Sequence, residues 1–136
     1  MKRKIVLDTN IIISALTHGG KPQIIYELTT LTQMLEAYSS ENAVNELLRV
    51  LKLKFEYAPE QLRLVEYGVR ENFKFISSGN IPDIITADPS DNNFLAIADS
   101  AKAHFIISGD RHLLGLKKYK NIGIITPTKF LEEVLE

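Results

Sequence analysis

Ile5-Val6-Leu7-Asp8-Thr9-Asn10-Ile11-Ile12-Ile13-Ser14-Ala15 is the stretch whose reading decides the fold. Lys4 to Leu7 is short, apolar and β-branched, which reads as a first strand. A helix should follow from about Ile11 to Leu16, stopped by Gly19-Gly20. Asp8 falls at the junction, directly after the strand. An acid beside a buried strand is costly unless something compensates it, and a divalent cation is the usual compensation.

Working outward, strand and helix signals alternate along the chain, which predicts βα units and a largely parallel sheet. Pro22 suits the first turn of a second helix ending near Leu31. Leu35 to Tyr38 is a weaker strand. Ser39-Ser40 offers an N-cap for a helix with apolar positions Ala43, Leu47, Val50 and Leu51. Pro59 opens another helix with Leu62, Val65, Val69 and Phe73 on one stripe. Ser77 to Asp83 is turn-rich, and Ile84-Ile85 reads as a very short strand. Asp88-Pro89-Ser90-Asp91 signals a helix start. His104 to Ile107 is the clearest central strand, Gly123 to Ile125 a later one, and Pro127 starts a terminal helix.

Three further acids stand where such units bring backbone ends together: Glu46, Asp91 and Asp110. In open parallel sheets ligands bind beyond the carboxyl ends of the strands, near the point where strand order reverses. Asp8 and Asp110 each follow an apolar strand and belong to that edge. From topology alone, a helix opened by Asp91 should begin at the opposite edge. Each acid also has an ordinary structural role. Asp8 and Asp110 suit N-caps, Asp91 suits the third position of a helix capped by Asp88, and Glu46 suits a solvated surface. On the helical wheel, however, Glu46 borders the apolar stripe, away from the arc of Glu41, Asn45, Arg49 and Lys52. Asp99 lies two helical turns from Asp91, roughly 12 Å along the axis, too far to share one metal. Four converging carboxylates would form a hard-oxygen site for Mg²⁺ or Mn²⁺, which points to phosphate-ester chemistry.

Composition narrows the field. The chain has 136 residues and is 45% hydrophobic, enough to bury one core, so residues 1–136 read as one domain. Sixteen Lys and Arg against seventeen Asp and Glu give a net charge of −1, so no global basic field draws in nucleic acid. A local rim could do so: Arg49, Lys52, Lys54, Arg111, Lys117, Lys118 and Lys120 are the candidates. The absence of cysteine excludes disulfides and thiolate metal sites. His18, His104 and His112 show no metal-ligand spacing. Met1-Lys2-Arg3-Lys4 starts like a signal peptide, but Asp8 and Asn10 break the apolar run, and no segment is apolar enough to span a membrane. A cytoplasmic protein is the expectation.

Taken together, these segments resemble a PIN domain, the small metal-dependent ribonuclease fold, and in particular its branch of toxins from toxin–antitoxin pairs. The resemblance rests on Ile5 to Ala15, on Ser40 to Leu51 with Glu46, on Asp88 to Leu95, on Ile106-Ile107-Ser108-Gly109-Asp110, and on Thr126 to Leu131. It implies a three-layer α/β/α fold around a mainly parallel sheet of four or five strands. It also implies a catalytic and metal-binding quartet of Asp8, Glu46, Asp91 and Asp110, with Asn10 and Ser14 as polar supports. Asp8, Asp110 and Asp91 would be the core ligands of Mg²⁺ or Mn²⁺, and Glu46 a ligand or a base orienting the attacking water. RNA would be the substrate, and a cognate antitoxin and a homodimer the protein partners. Relatives often carry a further acid two residues after the last of the quartet, where this chain has His112.

Two other classes compete. Phosphatases of the haloacid dehalogenase kind also place an Asp after the first strand but want a second two residues later, where Asn10 stands. A receiver domain wants paired acids before the end of that strand, and these are missing. A PIN-fold binding or regulatory module without turnover is the third reading.

Overall fold

The computed structural model describes residues 2–77 and 79–135; Met1, Glu136 and Ser78, the last within the turn-rich stretch, lie outside it. In chain order the elements are β1 (Arg3–Leu7), α1 (Thr9–Thr17), α2 (Gly20–Thr30), β2 (Leu35–Ser39), α3 (Glu41–Phe55), α4 (Pro59–Asn72) and β3 (Lys74–Phe75). A 3₁₀ turn (Pro89–Asp91) then leads into α5 (Asn92–Ala101), β4 (Phe105–Ile107), α6 (Arg111–Leu116), β5 (Lys118–Tyr119) and β6 (Ile122–Ile125). A final α7 (Pro127–Lys129) widens into π-type winding over Phe130–Val134.

One sheet runs in the order β3-β2-β1-β4-β6-β5, parallel throughout except for the β5–β6 pair. The expectation of four or five strands is corrected to six. The two added edge strands, β3 and β5, are two residues each, too short to leave a period in the sequence. Strand order reverses between β1 and β4, where Leu7 pairs with Ile107, and Asp8 and Ser108 come next in register.

Both faces of the sheet are covered, which is why its strands are apolar runs and not alternating ones. Ile5, Leu7 and Ile107 pack with Leu47 and Leu51 of α3, Val69 of α4, Ile25 of α2 and Phe130. Val6, Ile106 and Ile124 pack on the other side with Leu95, Ile97 and Ala98 of α5 and Leu113 of α6. The result is the three-layer α/β/α arrangement.

Two local expectations fail for identifiable reasons. Ile84-Ile85 is not a strand; the backbone N–H groups of Ile84 and Ile85 donate to Asn92 Oδ1 at 3.2 and 2.9 Å, while Asn92 Nδ2 donates to the carbonyls of Ile85 and Pro89. A buried side chain has taken the bonds a neighbouring strand would supply. Second, Asp91 does not begin at the edge opposite Asp8. Because β3 is parallel to β2, the chain leaves it at the carboxyl end of the sheet. The loop that follows reaches the far end of α5, where the Gly79 N–H donates to the Ser100 hydroxyl oxygen at 3.3 Å, and returns to the carboxyl end by Asp88–Asp91, from which α5 runs back to the start of β4.

Candidate active site

Asp8 is 3% exposed. Its Oδ1 accepts the Ile11 N–H at 2.9 Å and so caps α1, while its Oδ2 accepts the Ser108 hydroxyl. Ser108, fully buried, accepts the Asp110 N–H at 2.9 Å in turn. One hydroxyl therefore ties the ends of β1 and β4 together and fixes both acids. Asp110 Oδ2 caps α6, accepting the N–H groups of His112 at 2.9 Å and Leu113 at 3.0 Å.

The predicted capping roles of Asp8 and Asp110 are thus real, and they keep these carboxylates at helix N-termini, where negative charge is favoured. Asp91 differs. The capping acid of its turn is Asp88, which accepts both the N–H and the hydroxyl of Ser90. Asp91 makes no cap bond of its own, is 9% exposed, and has an Oδ2 that is buried without a hydrogen-bond partner. Asn92, locked to the preceding loop, holds it there.

Glu46 reaches the same cleft from α3. Its Oε2 accepts the Thr9 hydroxyl at 3.0 Å, its Oε1 lies 3.9 Å from Arg49, and its side chain is 24% exposed. The cleft, about 410 Å³, is lined by Asp8, Thr9, Asn10, Glu46, Arg49, Val50, Lys54, Asp88, Ser90, Asp91 and Phe94. Asn10 is exposed at its rim, whereas Ser14, one turn further along α1, does not line it. Asp110 lies behind the lining, close enough to act electrostatically on both Asp8 and Asp91.

Burial pushes the Asp8 carboxyl up to about 6, with Asp110 adding to the rise and the Ser108 and Ile11 donors opposing it. Burial also pushes Asp91 up to about 7, reinforced by the charges of Asp110, Asp88 and Asp8. Such mutual repulsion is what a cation would relieve. Among the described residues no three His, Asp or Glu side chains already stand in a metal-binding arrangement. The fit rests instead on the donors: hard carboxylate oxygens, one of them buried and unpartnered, which is the chemistry Mg²⁺ and Mn²⁺ select.

A family model for the PIN domain matches residues 4–112, spanning β1, the cleft and Asp110. The chain belongs to the PIN domain family. It is similar to uncharacterized protein MJ1680 of Methanocaldococcus jannaschii, 31% identical, with 98% of this chain and 92% of that protein covered. The crystal structure of PAE2754 from Pyrobaculum aerophilum is similar in fold, with a TM-score of 0.58 and 13% identity over 96% of this chain and 93% of that one. PIN domains are commonly nucleases and typically use divalent metals, so action on nucleic acid is the family's general function.

Thr9, Ser108 and Asn92 were not singled out by the sequence as site residues, although Thr9 adjoins Asp8 and Ser108 precedes Asp110 by two. The candidate basic rim divides. Arg49 and Lys54 line the acidic cleft, while Lys118 and Lys120 lie at the amino end of the sheet, where Lys120 pairs with Asp99 at 2.8 Å. Asp99 is thereby remote from the quartet. Among the described residues no helix is long and apolar enough to cross a membrane.

Proposed function

We propose that this PIN domain, as a single nuclease domain over residues 1–136, is a divalent-metal-dependent endoribonuclease and acts in the cytoplasm as the toxin of a toxin–antitoxin pair. The observation that carries the reading is the unpartnered Oδ2 of Asp91, buried beside Asp8 and Asp110 at the point where strand order reverses. A carboxylate oxygen there is costly unless it has a use.

Asp8, Asp91 and Asp110 would hold Mg²⁺ or Mn²⁺, with Glu46 as a further ligand or as the base facing the water. The cation, when bound, supplies polarisation of the scissile phosphate and acidification of a water. The chain itself does the positioning. Ser108 fixes the relative placement of Asp8 and Asp110, Thr9 turns Glu46 toward the cleft, and Asn10 offers an amide to a phosphate oxygen or a carboxylate. Arg49 and Lys54 sit where the sugar–phosphate backbone would enter. With no tryptophan and Phe94 buried, the cleft offers no stacking platform, which favours sequence-tolerant recognition of the backbone.

The test is cleavage of single-stranded or structured RNA, alongside duplex DNA, with Mn²⁺ or Mg²⁺ and with EDTA. The reading expects RNA to be cut faster, EDTA to abolish cutting, and Asp8→Asn/Asp110→Asn to be inert. Wild-type protein that leaves RNA intact in either metal would overturn it.

A further inference from the structure

A second cavity is larger than the acidic cleft. At the amino end of the sheet a groove of about 720 Å³ has a floor that includes Ala103, Phe105, Ile122 and Gly123. Its rim carries Arg3, Lys102, Lys118 and Lys120 against a single carboxylate, Asp99. Asp99 is taken by Lys120, and among the described residues Arg3, Lys102 and Lys118 have no ion-pair partner although all three are exposed. Four cations gathered on one groove stand out in a chain whose net charge is −1.

Two of these lysines stand at chain reversals, Lys102 as the C-cap of α5 and Lys120 in the turn between β5 and β6. Lys102 and Lys120 both hold φ of 55°, the left-handed region that glycine occupies more easily. Gly123 contributes differently. A Cβ there would come within 3.0 Å of the Phe105 ring, so glycine is what lets this half-buried ring lie against β6. The groove thus combines an aromatic and aliphatic floor with a cationic rim. Its size is that of a small-molecule site, and its chemistry suits a flat base below and phosphate above.

We propose that this groove is a second site of the molecule, separate from the acidic cleft, and that it takes a phosphate-bearing nucleotide unit. The unit comes either as a free nucleotide or as part of an RNA strand. Arg3, Lys102 and Lys118 meet the phosphate, and Phe105 meets the base.

Binding of fluorescein-labelled pentauridylate to the full chain, measured by polarisation in EDTA over a salt series, tests this without cleavage. The double variant Lys102→Gly/Lys118→Gln removes two unpaired cations, and the glycine relieves the positive φ, so the protein should melt no lower than wild type. Two lost phosphate contacts should flatten the slope of log affinity against log salt by about 1.4 for a single strand. Competition by AMP that is lost in the variant assigns free nucleotide; failure of AMP to compete, with the slope still flattened, assigns the strand. Absence of binding by the wild type overturns the proposal. So does equal affinity and slope in a folded variant, or binding lost only in Arg49→Gln/Lys54→Gln. Because the readout is binding without metal, an inactive acidic cleft leaves the result interpretable.

Discussion

The two ends of the same sheet are chemical opposites. At the carboxyl ends of β1 and β4, a buried acid and a half-buried one are fed by backbone N–H groups: Asp8 caps α1, Asp110 caps α6, and Ser108 links them. At the amino end, exposed lysines gather, with Lys102 and Lys117 as the C-caps of α5 and α6. A parallel sheet imposes this polarity. The helices that directly follow β1, β2 and β4 (α1, α3 and α6) begin at the carboxyl end and present a positive dipole there, while α4 runs the other way, its last turn held to the start of α3 by Arg70 and Glu41. What capping does not explain is Asp91, which also stands at a helix N-terminus, that of α5, yet makes no cap bond. That exception is what makes the acidic end the candidate site.

The largest expected effect separates Asp91 from its capping neighbour. Asp91→Asn should lower turnover by more than the roughly 10- to 100-fold that outer partners of a metal ligand contribute, with little change in melting temperature. Asp88→Asn should keep most activity, because Asn caps about as well as Asp. Turnover and melting of both variants decide the matter; near wild-type cleavage by Asp91→Asn would move the role to Asp88.

Next comes the response of stability to pH and metal. Folded Asp8 and Asp91 titrate at about 6 and about 7, both above the unfolded value of about 3.9. Between pH 4 and 7 the folded state therefore binds more protons than the unfolded one. Stability of the metal-free protein should fall as pH rises through that window, by about 1.4 kcal/mol for each unit of difference per group. Millimolar Mn²⁺ should offset part of the loss, about 2.7 kcal/mol at a hundredfold excess over its Kd. Melts from pH 4 to 8 in EDTA and in Mn²⁺ measure both. Stability rising with pH, or an equal Mn²⁺ shift in Asp8→Asn/Asp110→Asn, would break the comparison.

Ser108→Ala tests the link between the strands. It removes the donor to Asp8 and the acceptor of the Asp110 N–H, and should weaken Mn²⁺ affinity by roughly 10- to 100-fold. Titration followed by thermal shift would show it, and unchanged affinity would reduce Ser108 to packing. The smallest effect belongs to the basic end. Lys102→Gly should raise stability by about 1 kcal/mol in urea unfolding by releasing the left-handed φ. A loss would mean that the lysine stem contributes packing that outweighs its backbone.

Legibility followed the range of each interaction. The core strands β1, β2, β4 and β6 and the helices between them were readable because apolar period and caps are local, as Ser40 and Pro59 show. β3 and β5 were not, since a two-residue strand exists only by virtue of its neighbour. On α3 the sequence stripe was displaced slightly: Val44, Leu47 and Leu51 are buried, while Val50 faces the cleft. The acids were visible as residues, and the resemblance grouped them, but topology alone put Asp91 at the opposite edge.

The sequence by itself determined an α/β chain of the PIN kind, four candidate acids, and the helix caps that Asp8, Asp88 and Asp110 supply. Those follow from side-chain chemistry and spacing within a few residues. Only the tertiary structure decided that Asp91 is buried without a partner, that Ser108 joins Asp8 to Asp110 across a hundred positions, and that the lysines split between two ends of the sheet. The physical reason is that desolvation and charge repulsion depend on what surrounds a group in space, and parallel strand pairing assembles those surroundings from distant parts of the chain.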